Sequence, residues 1–139
     1  MKVILLLMIG LSMLHAELTR DATTGIVTDS TTGLMWQDNE VGTLINWQGA
    51  IDRCEALTLG THSDWRLPNI NELTSLVDDT RYDPAISSEF QNTISNGYWS
   101  STTYANDTDF AWGLNFGNGG QDGYGKAGDY YVRCVRAGQ

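Results

Sequence analysis

The segment Asp64-Trp65-Arg66-Leu67-Pro68-Asn69-Ile70-Asn71-Glu72-Leu73 limits what this chain can fold into more than any other. Pro68 pushes Leu67 out of the helical region into an extended conformation, so residues 65–67 read as a short strand-like run. Asn69 is then placed to cap a helix, and Glu72, three residues on, completes a capping-box pattern. Ile70, Leu73, Leu76 and Val77 recur on one helical face behind it, which predicts a helix over residues 70–78. Arg66 lies between two large hydrophobes with Asp64 nearby, so it is expected to be half buried and paired. A strand, a sharp turn and a capped helix within so short a stretch describe scaffold. They name no reaction.

An earlier helix is expected to start at Asn46, because Trp47, Ala50, Ile51, Cys54 and Leu57 recur at helical spacing; Gly60 is expected to end it. Ahead of it, Ala22-Thr23-Thr24-Gly25 and Ser30-Thr31-Thr32-Gly33 look like two similar turns. Each precedes a short strand candidate, residues 26–28 and 34–37, which predicts a hairpin or two edge strands. Residues 98–101 alternate like a strand. Residues 110–116 alternate again, with Phe110, Trp112, Leu114 and Phe116 on one face. Residues 118–128 contain five glycines and are expected to be loop. Residues 130–135 are the last strand candidate and carry Cys134. The expected class is therefore α+β: two helices packed on a mostly antiparallel sheet, with long polar loops, in one domain over residues 20–139.

Residues 1–16 read as an export signal rather than part of that domain. Lys2 supplies a positive start, residues 3–14 are an apolar run, and Ala16 offers a small residue for cleavage. The run is too short for a transmembrane helix, which needs about 18 residues or more. Export to the periplasm, the cell surface or the medium is expected, with no membrane insertion after cleavage. The 17 acidic residues outnumber the 8 Lys and Arg, for a formal charge of −9. Charge of that sign repels nucleic acid, anionic membranes and sulfated polysaccharides. Cys54 and Cys134 are the only cysteines. They have no CxxC spacing and no neighbouring metal ligand, and in an oxidising compartment a structural disulfide is expected. Closing a loop of about 80 residues would stabilise the fold by roughly 4–5 kcal/mol.

Taken together, Thr32-Gly33-Leu34-Met35-Trp36, Trp47 with Cys54, Asp64-Trp65-Arg66-Leu67-Pro68, Tyr98-Trp99-Ser100-Ser101-Thr102 and Val132-Arg133-Cys134-Val135-Arg136 resemble one known family. It is DUF1566, also called the Lcl C-terminal domain family after a Legionella collagen-like adhesin. The resemblance spans nearly the whole chain beyond residue 20. It implies a C-type-lectin-like fold, with a disulfide between the first helix and the last strand as Cys54 and Cys134 would give. It also implies recognition or adhesion at a surface. The adhesin's trimer and its sulfated-glycan ligand are not carried over, because these residues hold no collagen-like repeat and the chain is acidic. An oligomer stays open. The Glu-Pro-Asn and Gln-Pro-Asp tripeptides of calcium-dependent sugar-binding lectins do not occur.

His62, two residues before Asp64, would need a third partner to form a catalytic triad, and a surface histidine is the commoner case. No enzyme is expected. The candidate ligand residues are Tyr104, Asn106, Asp107 and Asp109 before Trp112, and Asn118, Gln121, Asp122 and Tyr124 in the glycine-rich stretch. Asn, Asp and Gln can hydrogen-bond sugar hydroxyls, and an aromatic face can stack on a sugar's C–H face. The same residue types are also what turns are made of. Oxygen ligands at this density would suit Ca2+, although the spacing matches no full calcium loop; no other cofactor is expected. Trp36, Trp47, Trp65 and Trp99 are expected in the core, and Trp112 is expected to be buried rather than to face a ligand. The predicted function is an exported, non-enzymatic binding module for a glycan or a surface protein. The alternative is a structural or assembly component of the cell envelope that binds protein only.

Overall fold

The computed structural model describes residues 17–138; the expected export signal, residues 1–16, lies outside them. The echo near the start of the chain is one turn used twice. Asp21 Oδ1 accepts the N–H groups of Thr23 (2.8 Å) and Thr24 (3.1 Å), and Asp29 Oδ1 accepts that of Thr31 (2.8 Å). In each turn a glycine with positive φ, Gly25 at 71° or Gly33 at 73°, donates back to the aspartate carbonyl at 2.8 Å. These turns join β1 (Leu18–Arg20), β2 (Ile26–Asp29) and β3 (Leu34–Gln37) into an antiparallel meander. The last strand, β7 (Val135–Ala137), returns to pair with β3 and completes a four-stranded sheet.

Helix α1 (Trp47–Glu55) starts as expected: the Asn46 side chain accepts the Gly49 N–H at 2.8 Å. It ends earlier than expected. Gly60 and Thr61, both at positive φ, instead form a tight turn that bridges Leu59 to His62. Helix α2 (Ile70–Thr74) carries the full capping box, with Asn69 Oδ1 accepting the Glu72 N–H and Glu72 Oε1 accepting the Asn69 N–H. It is five residues long. Beyond it Leu76 and Val77 bond back three residues, a tighter turn, and Val77 then bridges to Ile86.

A second sheet consists of β4 (Gly97–Thr103), β5 (Phe110–Asn115) and β6 (Gly120–Gly125), antiparallel in that order. The class is α+β, with two helices and two antiparallel sheets rather than one. Residues 130–135 do not make the single strand expected of them. Tyr130 bridges to Ile45, Tyr131 to Tyr98 and Val135 to Arg66, so this stretch changes partner before it enters β7. The strand-like reading of residues 65–67 holds: Arg66 and Val135 exchange both backbone bonds at 2.9 Å.

Several strands lie between two cores. Val27, Tyr98, Leu114 and Val135 pack into one, around Trp36, Leu73 and Phe116. Their neighbours Ile26, Trp99, Ala111 and Cys134 pack into the other, around Trp65, Leu67 and α1. Successive side chains of a strand point to opposite faces, so apolar neighbours such as Ile26-Val27 and Tyr98-Trp99 serve a core on each side. Cys54 of α1 and Cys134 form the disulfide expected of them, with Cα atoms 5.4 Å apart, inside the second core.

Arg66 is about half buried and paired, as expected, but its partner is not Asp64. Its side chain, 45% exposed, meets the Glu72 carboxylate through two bonds of 2.7 Å. Asp64 is taken by Arg136, at 2.6 and 3.1 Å. The cause is the bridge to Val135. Trp65 and Leu67 point into the core, so Arg66, between them, points outward over the first turn of α2.

Candidate functional site

The candidate ligand residues gather around β5 and β6. Residues 118–128 were expected to be loop, yet residues 120–125 form strand β6. Glycine disfavours strands because it has no side chain to pack. Here that lack is what the partner strand needs. Gly123 and Gly125 stand opposite Trp112 and Phe110 in the register, leaving the sheet face beside those large rings uncovered. On the other face, a Cβ on Gly113 would run into the Tyr124 ring. At the β5–β6 turn, Gly119 is at positive φ (79°) and donates to the Asn115 carbonyl at 2.7 Å.

Two grooves result. One, of about 360 Å3, is lined by Tyr104, Asp107, Phe110, Trp112, Asp122 and Gly123. Its rings stand at an angle to each other: Tyr104 and Trp112 have centroids 4.8 Å apart and planes 65° apart. The loop carrying Asp107 is closed by Tyr104 N–H donating to the Phe110 carbonyl (2.9 Å). Within it, Asp107 Oδ1 accepts the Asp109 N–H (3.0 Å). The second groove, of about 320 Å3, is lined by Asn96, Asn115, Asn118, Gly120, Gln121, Asp122, Tyr124 and Tyr130. Tyr124 stacks on Tyr130 with centroids 4.0 Å apart and planes 5° apart, and meets Trp99 edge-on. Its phenol pKa is pushed up to about 12, by burial first and then by the charge of Asp122 and by Tyr130.

Six of the eight sequence candidates line one groove or the other. Tyr104 and Asp107 line the first, Asn118, Gln121 and Tyr124 the second, and Asp122 borders both. Asn106 and Asp109 line neither. Asp109 instead closes the loop turn, its carbonyl accepting the Lys126 N–H at 2.8 Å. Tyr124 is not a free loop residue either; it is half buried on a strand. Sequence reasoning missed Phe110, Trp112, Asn96, Asn115 and Tyr130. Trp112 was expected to be buried, but only the far end of its alternating face, Leu114 and Phe116, reaches the core. Phe110 is 38% exposed and Trp112 partly so. The regular alternation carries no sign of where the core stops.

The hydrogen bonds of His62 are those of its backbone, which bridges Leu59 and accepts the Trp65 indole N–H at 3.1 Å. The neighbouring Asp64 carboxyl is held below its ordinary pKa, chiefly by the hydrogen bond from Arg136. Among the described residues no group of three or more His, Cys, Asp or Glu is arranged to hold a metal ion.

The model of the Lcl C-terminal domain matches residues 25–136. The chain belongs to that family. Comparison with curated proteins yields no match. The matched span of this Lcl C-terminal domain begins at Gly25, where the first Asp-x-Thr-Thr-Gly turn ends, and stops in β7, so it takes in every strand but β1, both helices and both grooves. At the family level the domain is an adhesin-like module. No helix among the described residues is long and apolar enough to cross a membrane.

Proposed function

We propose that this Lcl C-terminal domain is an exported recognition module of C-type-lectin-like architecture that binds a glycan in adhesion. The observation that carries this is the open aromatic groove of Tyr104, Phe110 and Trp112, edged by Asp107 and Asp122. Rings of this kind offer apolar faces to the C–H side of a sugar, and carboxylates accept its hydroxyl protons. Phe110, Trp112 and Asp122 stand on a sheet packed between two cores, and Tyr104 and Asp107 on the loop that β4 and β5 hold, so the groove is formed before the ligand arrives. The disulfide joining α1 to the closing segment is the bridge that C-type-lectin-like domains commonly carry, and it supports that architecture.

A glycan array probed with refolded mature protein, with and without Ca2+, tests the proposal. Saturable binding lost in Trp112→Ala is the expected result. Indifference to chelator would make calcium dispensable. Exposed Val41 and Leu44, on the loop before α1, favour a second function: protein contact within the cell envelope. A blank array together with an envelope protein captured by the wild type, and not by a Val41→Ser/Leu44→Ser variant, would replace the glycan reading with that one.

A further inference from the structure

The second groove specifies a ligand more closely than the first, through its hydrogen-bond inventory. Asn96, Asn115 and Asn118 each turn Oδ1 onto a nearby backbone N–H: that of Gly97 at 2.7 Å, Gly117 at 2.7 Å and Gly120 at 2.9 Å. A backbone N–H only donates, so these bonds fix which amide atom is oxygen in all three side chains. What remains on each asparagine is its NH2, with two donors. Among the described residues none of these three NH2 groups donates to a protein partner. Tyr124 adds a phenol that stays protonated at physiological pH. Two acceptors face this donor set. One is the Asp122 carboxylate, which has a single oxygen engaged by the Gly123 N–H at 2.8 Å. The other is Gln121 Oε1, whose NH2 is anchored to Thr74 Oγ1 at 2.7 Å.

Charge narrows the choice. An ammonium ligand would face a wall of N–H donors. A sulfate or uronate would face Asp122 on a chain of net charge −9. An uncharged ligand rich in oxygen acceptors, with at least one hydroxyl to donate, meets both conditions. The volume of about 320 Å3 lies at the small end of ligand sites, which run from about 300 to 1,000 Å3, and suits one ring rather than a polymer. We propose that this groove binds a single uncharged sugar residue bearing an acetamido group. The asparagine NH2 groups take its carbonyl and hydroxyl oxygens, and a hydroxyl donates to Asp122. The acetamido carbonyl accepts from the asparagine NH2 groups, and the N–H of the same group finds its acceptor in Gln121 Oε1. The assignment rests on the glycan-binding function proposed above and names the sugar class that this second groove selects.

The test is an NMR titration of the mature, disulfide-bonded protein with four probes: the methyl glycosides of N-acetylglucosamine, glucose and glucuronic acid, and N-acetylglycine methylamide. The acetamido glycoside should shift the Asn96, Asn115 and Asn118 NH2 signals saturably and bind at least about tenfold more tightly than each of the others. Asn115→Asp and Asn118→Asp keep the oxygen that accepts the turn N–H, so melting should be unchanged, while each replaces a donor with an anionic acceptor. Together they should weaken binding by about tenfold or more. Equal binding of the glucoside, tighter binding of the glucuronide, or full binding by the double variant would overturn the assignment. Tighter binding of N-acetylglycine methylamide would put a peptide backbone in the groove and overturn it too. If array binding is abolished by Trp112→Ala but untouched by the Asp variants, the glycan function stands and this groove is not its site. A blank array with no shift from any probe removes both.

Discussion

Asp38 has no exposed side-chain surface and lies between two guanidinium groups, those of Arg20 and Arg133. Its carboxylate also accepts the N–H groups of Gln91 (2.8 Å) and Asn92 (3.1 Å). Arg133, itself buried, reaches on to the Asn92 carbonyl at 3.0 Å and Thr93 Oγ1 at 2.8 Å, with its guanidinium over the Phe90 ring. One carboxylate thus ties the end of β3 to the stretch that leads into Asn96 and β4. Asp38→Ala leaves the Arg133 charge buried without its ion partner, and breaking such a pair costs roughly 3–5 kcal/mol. A denaturant melt should show that loss; a change below about 1 kcal/mol would mean the network does not hold the fold. Arg66 is the opposite case. With nearly half of the Arg66 side chain open to solvent, its pair with Glu72 is worth about 1 kcal/mol or less, so Arg66→Ala should have a small effect. The Glu72 carboxyl is held below its ordinary pKa of 4.5, first by the Arg66 hydrogen bond and also by the Asn69 N–H. A depressed carboxyl contributes stability above its unfolded-state pKa and loses it as pH falls through the folded value. The gap between wild type and Arg66→Ala should therefore be present at neutral pH and close in acid below 4.5. A gap that widens in acid would contradict the pairing.

At the scale of elements, α1 and the segment entering β7 are joined by a disulfide that closes a sequence separation of 80 residues. Its reduction should lower stability by roughly 4–5 kcal/mol in the chain-entropy account, read as a drop in denaturant midpoint. Two thiols alkylated without reductant in protein recovered from an oxidising compartment would show the bridge to be absent. The helix starts were legible because their signals are local. Asn46 and Asn69 each bond a backbone N–H three residues away, and a reader of the sequence can see three residues ahead. The ends were not, because packing decides them: Val77 is drawn off by its bridge to Ile86, and α1 gives way ahead of the Leu59–His62 turn, which is held against the Trp65 indole. Strand β6 was the largest miss. Its Gly-Gln-Asp-Gly-Tyr-Gly has no apolar periodicity, and its strand character comes wholly from pairing with β5. The same miss hid part of the candidate site. Replacing Tyr124 would therefore disturb packing on Trp99 and Tyr130 as well as any ligand contact, and the Asn→Asp substitutions probe the groove more cleanly.

Across the whole molecule the charge is −9, and neither groove is lined by Lys or Arg. Binding of an uncharged ligand releases few counterions, so affinity should change less than about threefold between about 50 and 200 mM salt. A loss of orders of magnitude over that range would point to a polyanion held by cations elsewhere on the surface. The sequence alone determined what depends on neighbours within a few residues: the two Asp-x-Thr-Thr-Gly turns, the helix caps, the α+β class, and the motif set that places the chain in the Lcl C-terminal domain family. Its two lone cysteines also led to the right bridge. The tertiary structure decided what depends on which surfaces meet. It split the strands into two sheets, gave Asp64 to Arg136 and Arg66 to Glu72, and made a strand of a glycine-rich stretch. It also gathered Asn96, Asn115 and Tyr130 beside residues whose candidacy was already visible. Backbone bonds and caps act over a few ångströms along the chain and leave their pattern in consecutive letters. Pairing and burial are chosen among many surfaces of similar composition, and the chain settles that choice only when it packs.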